Sequence, residues 1–114
     1  MKIARIYDDN GQSRFTDIDI SLDPLDGFRA STPFAAEQCC FFSSPPRQHR
    51  HAAPRRQLVV MLSGEVEVET SDGDKRRFRP GDIVLADDTT GSGHITRFLA
   101  EVTALFVPVA DIPE

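Results

Sequence analysis

The chain has 114 residues, enough for one compact domain with a single core and too few for a second. Eighteen acidic residues outnumber thirteen basic ones, which gives a formal charge of -5. Nucleic acid and anionic membrane surfaces are therefore poor candidate partners, and no apolar run approaches the length of a bilayer span. We expect a soluble cytoplasmic protein that forms one domain over residues 1–114.

Strand patterns recur along the chain, and no segment shows the sustained apolar period of a helix. The segment 21–33 is predicted to be a surface loop, and 108–114 a docked or loose tail. About nine short strands separated by Gly and Pro turns predict an all-β fold, either a jelly roll or an immunoglobulin-like sandwich. The absence of tryptophan and of a separated cysteine pair disfavours the sandwich. The predicted strands include 2–7, 14–20, 36–42, 58–62, 65–69, 83–86, 94–98 and 102–107.

The clearest strand pattern lies between residues 57 and 69. The segment 58–62 is apolar on both faces, which is typical of a strand buried in a two-sheet fold, whereas 65–69 alternates valine with glutamate. Ser63 and Gly64 are predicted to join these strands in a tight hairpin. The nearby arginines are expected to pair with the glutamates of segment 65–69 on a solvated face; they are Arg76, Arg77 and Arg79.

Cys39 and Cys40 are adjacent in the chain. A disulfide between neighbouring residues is strained and rare, so we expect free thiols in a reducing compartment. No basic residue is tied to either cysteine by local spacing, which disfavours a catalytic nucleophile.

The three histidines are the most informative residues of the chain. His49 and His51 form an H-x-H pair, and residues two apart in a strand face the same side, so both imidazoles can converge on one point. A third imidazole would have to come from His94, at the start of a later predicted strand. An H-x-H pair also occurs by chance in exposed loops, and the segment after Pro45-Pro46 is open to that interpretation.

These histidines and the turns near them resemble the motifs of the cupin superfamily, G-x5-H-x-H-x3-4-E-x6-G and G-x5-P-x-G-x2-H-x3-N. Here the pair His49-Arg50-His51 is followed by Gln57 and Gly64, with Gln57 where the family usually has glutamate. Pro80-Gly81-Asp82 is the familiar turn before the strand that leads to His94. The chain departs from the motifs at further places: five residues separate His51 from Gln57, one more than the motif allows, Ser43 replaces the leading glycine, a seven-residue stretch replaces Pro-x-Gly, and Phe98 replaces the asparagine. The resemblance implies a double-stranded β-helix, the cupin jelly roll, with a barrel core of about 36–108.

The resemblance also implies a metal site whose ligands are His49, His51, Gln57 and His94. Neutral imidazole suits Zn, Fe, Ni and Cu, and an amide oxygen is a weak donor. We therefore expect a divalent transition metal as cofactor, for example Zn, Ni, Fe or Mn. Without a carboxylate ligand the site keeps a double positive charge, which favours a small anionic or chelating substrate. In the alternative, Gln57 hydrogen-bonds His51 and does not touch the metal.

Arg55 and Asp88 are the candidate catalytic residues. Arg55 shares strand parity with Gln57 and could clamp a carboxylate, and Asp88 could act as a general base if partly buried. The alternatives are a surface ion pair for Arg55 and a turn-forming role for Asp88.

The ligand types resemble small cupins that act on unsaturated uronates. They imply an isomerase or lyase acting on a small oxygenated anion such as a sugar acid. A metal-dependent dioxygenase, a non-catalytic small-molecule binding or sensing domain and a structural barrel with a packed lumen are the alternatives. Related cupins pair through their early strands, so a homodimer is implied as well.

Overall fold

The computed structural model describes all 114 residues, and it contains β-strands, turns and loops without any helix. The all-β prediction is confirmed. No helix is present that is long and apolar enough to cross a membrane. The strands are β1 (Lys2–Asp9), β2 (Gln12–Asp19), β3 (Asp23–Leu25), β4 (Phe28–Ala30), β5 (Cys40–Ser44), β6 (Arg47–His51), β7 (Gln57–Ser63), β8 (Val66–Thr70), β9 (Lys75–Phe78), β10 (Ile83–Asp87), β11 (His94–Phe98) and β12 (Val102–Pro108).

Two sheets form the body of the molecule. The larger has six strands in the order β2-β1-β10-β7-β12-β5, and the smaller has four in the order β6-β11-β8-β9. From β5 to β12 every connection except the β8–β9 hairpin carries the chain from one sheet to the other. This repeated crossing rolls the chain into the predicted jelly roll.

The predicted hairpin at Ser63-Gly64 is wrong. β7 pairs with β10 and β12, whereas β8 pairs with β9 and β11, so Gly64 carries the chain between the sheets. Gly64 has a φ of 80°, and a Cβ there would collide with the carbonyl oxygen of Glu101. A positive φ is equally typical of hairpin glycines, so the local sequence does not distinguish a hairpin from a crossing.

Three further boundaries differ from the sequence predictions or refine them. The predicted strand 36–42 is shifted, because β5 begins only at Cys40 and continues to Ser44. The predicted loop 21–33 contains the β3–β4 hairpin, whose Asp26-Gly27 turn has positive φ at both residues. The tail is docked, because Val109 is buried in the core.

The apolar side chains form two layers, one on each face of the six-stranded sheet. The inner layer lies between the sheets and includes Ile6, Met61 and Val102, while the outer layer includes Leu58 and Leu85. β7 supplies residues to both layers, as its two-faced apolar pattern predicted.

The arginines of β9 and the turn after it pair only in part as predicted. Arg77 and Arg79 pair with Glu65 at N–O distances of 3.8 and 2.9 Å. Arg76 instead reaches Asp17 at 2.7 Å, because it lies opposite the buried Val68 and so on the inner face of its strand. Such exposed pairs contribute only about 0.2–1 kcal/mol each.

Candidate metal centre

The three histidines come together on the inner face of the four-stranded sheet. In the register between β6 and β11, His51 lies opposite His94 and His49 lies opposite Thr96. The ring centroids are 4.5 Å apart for His49 and His51, and 4.9 Å apart for His51 and His94. The H-x-H pair therefore belongs to a strand, not to an exposed loop.

Local backbone geometry brings the two histidine strands together. Gly93 precedes His94 with a φ of 69°, and a Cβ on Gly93 would collide with the carbonyl oxygen of His51. Only glycine permits both the left-handed backbone and this approach. Gln57 faces the histidines from the opposite sheet, where it is the first residue of β7 and only 6% exposed. All four predicted ligands line one cavity.

A buried carboxylate holds the ring of His94. Oδ2 of Asp88 lies 2.6 Å from Nδ1 of His94, and Asp88 is completely buried. A carboxylate accepts hydrogen bonds, so Nδ1 of His94 carries a hydrogen and donates a hydrogen bond to Asp88, which leaves the lone pair on Nε2 free. Asp88 does not line the cavity. Asp88 is thus placed to orient His94. The predicted general base would have to face a ligand in the cavity, and Asp88 does not.

His51 is held in its neutral form. Burial lowers the pKa of His51 to about 4, and the neighbouring His94 and His49 act in the same direction. Nδ1 of His51 is buried without a hydrogen-bond partner. A neutral imidazole with an unpartnered buried nitrogen fits a transition-metal ligand. As the side chains stand, no group of three or more His, Cys, Asp or Glu residues is arranged to hold a metal ion.

The space in front of the histidines is a cavity of about 310 Å³ between the sheets. Val59, Met61 and Val84 line this cavity and do not fill it, contrary to what a structural barrel with a packed lumen requires. Three aromatic rings form another part of its wall: Phe42 stacks on Phe106 with centroids 4.7 Å apart and lies 5.9 Å from Phe98. Most of the lining is hydrophobic.

The structure does not bring Arg55 to the cavity. Arg55 is exposed in the loop before β7, so the strand parity that associated it with Gln57 does not extend to it. The next residue, Arg56, pairs with Oδ2 of Asp87 at 2.8 Å, and Arg5 reaches the same oxygen at 2.6 Å. Nothing in the placement of Arg55 supports the predicted catalytic role.

One cavity residue was missed by the sequence reasoning. Arg47 lines the cavity together with His49 and His51, with which it shares the inner face of β6. The signal was present in the sequence, because residues 47, 49 and 51 have the same strand parity. The prediction that Cys39 and Cys40 are free thiols agrees with the structure, where both are exposed and unpaired.

A family model described as the EutQ-like cupin domain matches residues 32–102, which is more than half of the chain. Among solved structures, a protein of unknown function from Streptococcus pyogenes, SPY1581, is similar with 22% identity and a TM-score of 0.50. That match covers 65% of this chain, and the chain spans 65% of the length of that protein. Protein NMB1881 from Neisseria meningitidis matches with 13% identity and a TM-score of 0.47 over 81% of this chain and 83% of the other. No curated protein matches the chain.

Proposed function

The chain belongs to the EutQ-like cupin domain family, and on that premise we propose that it binds a divalent transition metal through its three histidines and Gln57. The metal would serve an isomerase or lyase step on a small oxygenated anion. The observation that carries the proposal is the buried hydrogen bond between Asp88 and His94. His94 in turn lies directly opposite His51 in the pairing of β6 with β11.

Each part of this arrangement suits a metal ligand set. Metal-binding histidines commonly donate a hydrogen bond from the N–H of their second ring nitrogen to a carboxylate, which fixes the ring and raises the basicity of the ligating nitrogen. Asp88 is such a carboxylate partner for His94, and burial keeps His51 neutral. A bound cation would supply Lewis-acid chemistry or lower the pKa of a water. The apolar wall would exclude bulk water from that space.

Metal analysis of the purified full-length protein tests the proposal. After exposure to Zn, Ni, Fe or Mn salts and removal of excess ion, the wild type is expected to retain about one ion per chain. The His51→Ala/His94→Ala double variant is expected to retain almost none. Gln48→Ala is the matched control, because Gln48 is exposed on the same strand with the opposite parity. Equal, near-zero metal in all three proteins would refute the proposal.

A second candidate function is ligand binding or sensing without catalysis. It is favoured by the composition of the cavity wall, which contains no carboxylate and no tyrosine. The histidines are then the only side chains of the wall that could transfer a proton to or from a ligand. Ligand binding without turnover in the metal-loaded protein would select this function. Consumption of O2 by an iron-loaded sample that depends on an added organic substrate, with both oxygen atoms entering that substrate, would instead select a dioxygenase.

We further propose that the protein is a homodimer in a reducing, cytoplasmic compartment. The proposed dimer contact is the segment 21–41, in which every residue except Leu22, Ala30 and Ser31 is exposed. Phe28 and Phe41 in this segment are 77% and 82% exposed. Large apolar side chains exposed in one segment are typical of a protein interface. The two free thiols, also exposed in this segment, support the reducing compartment.

A further inference from the structure

Arg47 is the one cavity residue with a permanent charge and without a protein partner. Its side chain lines the cavity but is exposed, which places it at the opening. It makes no ion pair or side-chain hydrogen bond, although most other arginines of the chain pair with carboxylates or carbonyl oxygens. No aspartate or glutamate lines the cavity. In a chain of net charge -5, this wall therefore carries a local positive charge.

The cavity has two chemically different regions. In the β6–β11 register Arg47 lies opposite Phe98, whereas His51 lies opposite His94. Arg47 and His51 are four residues apart on one strand, so their α-carbons are separated by about 13 Å at roughly 3.3 Å per residue. Phe98 belongs to the cluster with Phe42 and Phe106. A cationic, aromatic region around Arg47 and Phe98 thus adjoins a histidine region along one wall.

Few polar groups of the wall remain to bind a polyhydroxylated ligand. Besides the histidines, Gln57 and Arg47, the only polar side chains of the wall are the hydroxyls of Ser44 and Thr96. The Ser44 hydroxyl already donates a hydrogen bond to the carbonyl oxygen of Pro45. A sugar acid has a hydroxyl on almost every carbon, and each one would lose its hydrogen bonds to water against this wall. The sugar acid expected from the ligand types therefore fits poorly.

We propose that the ligand is a small aromatic monocarboxylate whose carboxylate binds the guanidinium of Arg47. Its ring packs against the three phenylalanines, and a polar group at its other end faces the histidines. A cavity of about 150 Å³ holds benzene, and this one, at about 310 Å³, has room for a ring with two substituents. Guanidinium and carboxylate form charge-assisted, bidentate hydrogen bonds. This inference deepens the proposed function and rests on it in one respect: the polar group of the ligand would face the metal site formed by the histidines.

The test is an NMR titration of the full-length protein with three probes of defined chemistry: 4-hydroxybenzoate, its neutral amide 4-hydroxybenzamide, and galacturonate. We expect the aromatic acid to bind at least about tenfold more tightly than either of the others. Arg47→Gln should lower the affinity for the acid about tenfold and leave the affinity for the amide unchanged. Arg50→Gln is the matched control, because Arg50 is exposed on the same strand and does not line the cavity.

Three results would overturn the inference: equal affinity of wild type and Arg47→Gln for the acid, tighter binding of galacturonate, or no binding of the aromatic acid at millimolar concentration. Metal analysis of the same samples separates this outcome from the proposed function. Arg47-dependent binding to a protein that holds no metal would support this inference and refute the metal proposal. Metal retained with Arg47-independent binding would do the reverse.

Discussion

Asp88 and His94 form a hydrogen bond of 2.6 Å between a fully buried carboxylate and an almost fully buried imidazole. Asp88 lies next to Asp87, yet the two carboxylates have opposite surroundings: Asp88 points inward to the histidine, and Asp87 points outward to Arg5 and Arg56. Asp87 and its two arginines hold the end of β10 on the outside, and Asp88 alone contacts the ring of His94.

Replacement of Asp88 by asparagine should weaken metal binding. The amide keeps the shape of the side chain but removes the charge that favours a proton on Nδ1 of His94. Loss of such a partner commonly costs 10–100-fold in metal affinity, so we expect a loss of about that size in a metal titration. Asp87→Asn is the matched control: it weakens the ion pairs with Arg5 and Arg56 and so should lower stability, but it should leave metal affinity unchanged. The role of Asp88 is disproved if both variants bind metal like the wild type.

The stability of the metal-free protein should fall in mild acid because of His51. Its folded-state pKa is about 4, below the ordinary value of 6.5, so between these values the unfolded state binds a proton that the folded state does not. The stability contributed by neutral His51 is complete above about pH 6.5 and is lost as the pH falls through about 4. Urea unfolding across this range should show a weaker pH dependence in His51→Gln. An identical pH dependence in the variant would contradict this interpretation.

Gly64→Ala should destabilise the fold. The alanine would adopt a positive φ, and its Cβ would meet the carbonyl oxygen of Glu101. We expect a loss of more than about 1 kcal/mol in the free energy of unfolding. Gly73→Ala is the control, because Gly73 also has a positive φ but open space around its α-carbon. Equal losses in the two variants would show that the close approach between the sheets is unimportant.

The exposed aromatic segment should control the oligomeric state. Light scattering is expected to give a mass of about 25 kDa for the wild type, twice the chain mass of 12.7 kDa. The Phe28→Ser/Phe41→Ser double variant should be monomeric. Leu62→Ser serves as control, since Leu62 is an exposed apolar residue outside this segment. A wild type that is monomeric at tens of micromolar would exclude the proposed dimer.

Much of the inner wall could be predicted from the sequence, because strand parity is a local property. It put His49 and His51 on one face and identified the two-faced apolar pattern of β7, and the structure agrees on both. The role of Asp88 could not be predicted in this way. Alternation along β10, where Val84 and Ala86 face inward, would place Asp88 on the inner side, but its contact with His94 depends on the path of the loop between them, which only the folded structure shows.

Whether the chain forms a hairpin or crosses between the sheets at Gly64 also depends on contacts between distant residues. Both use a glycine with a positive φ, and only the pairing of β7 with β10 and β12 separates them. Arg55 shows the limit of parity itself, because alternation has no meaning in the loop before a strand begins.

The most direct test of the metal centre is a crystal structure of the protein loaded with one of these metals, with anomalous diffraction measured at the absorption edge of that metal. We predict a single anomalous peak, and we expect the ion at that position to be bound by Nε2 of His94, by the imidazoles of His49 and His51, and by the amide oxygen of Gln57. A metal-loaded crystal in which that position has no peak, or in which the ion lies elsewhere on the molecule, would contradict the account.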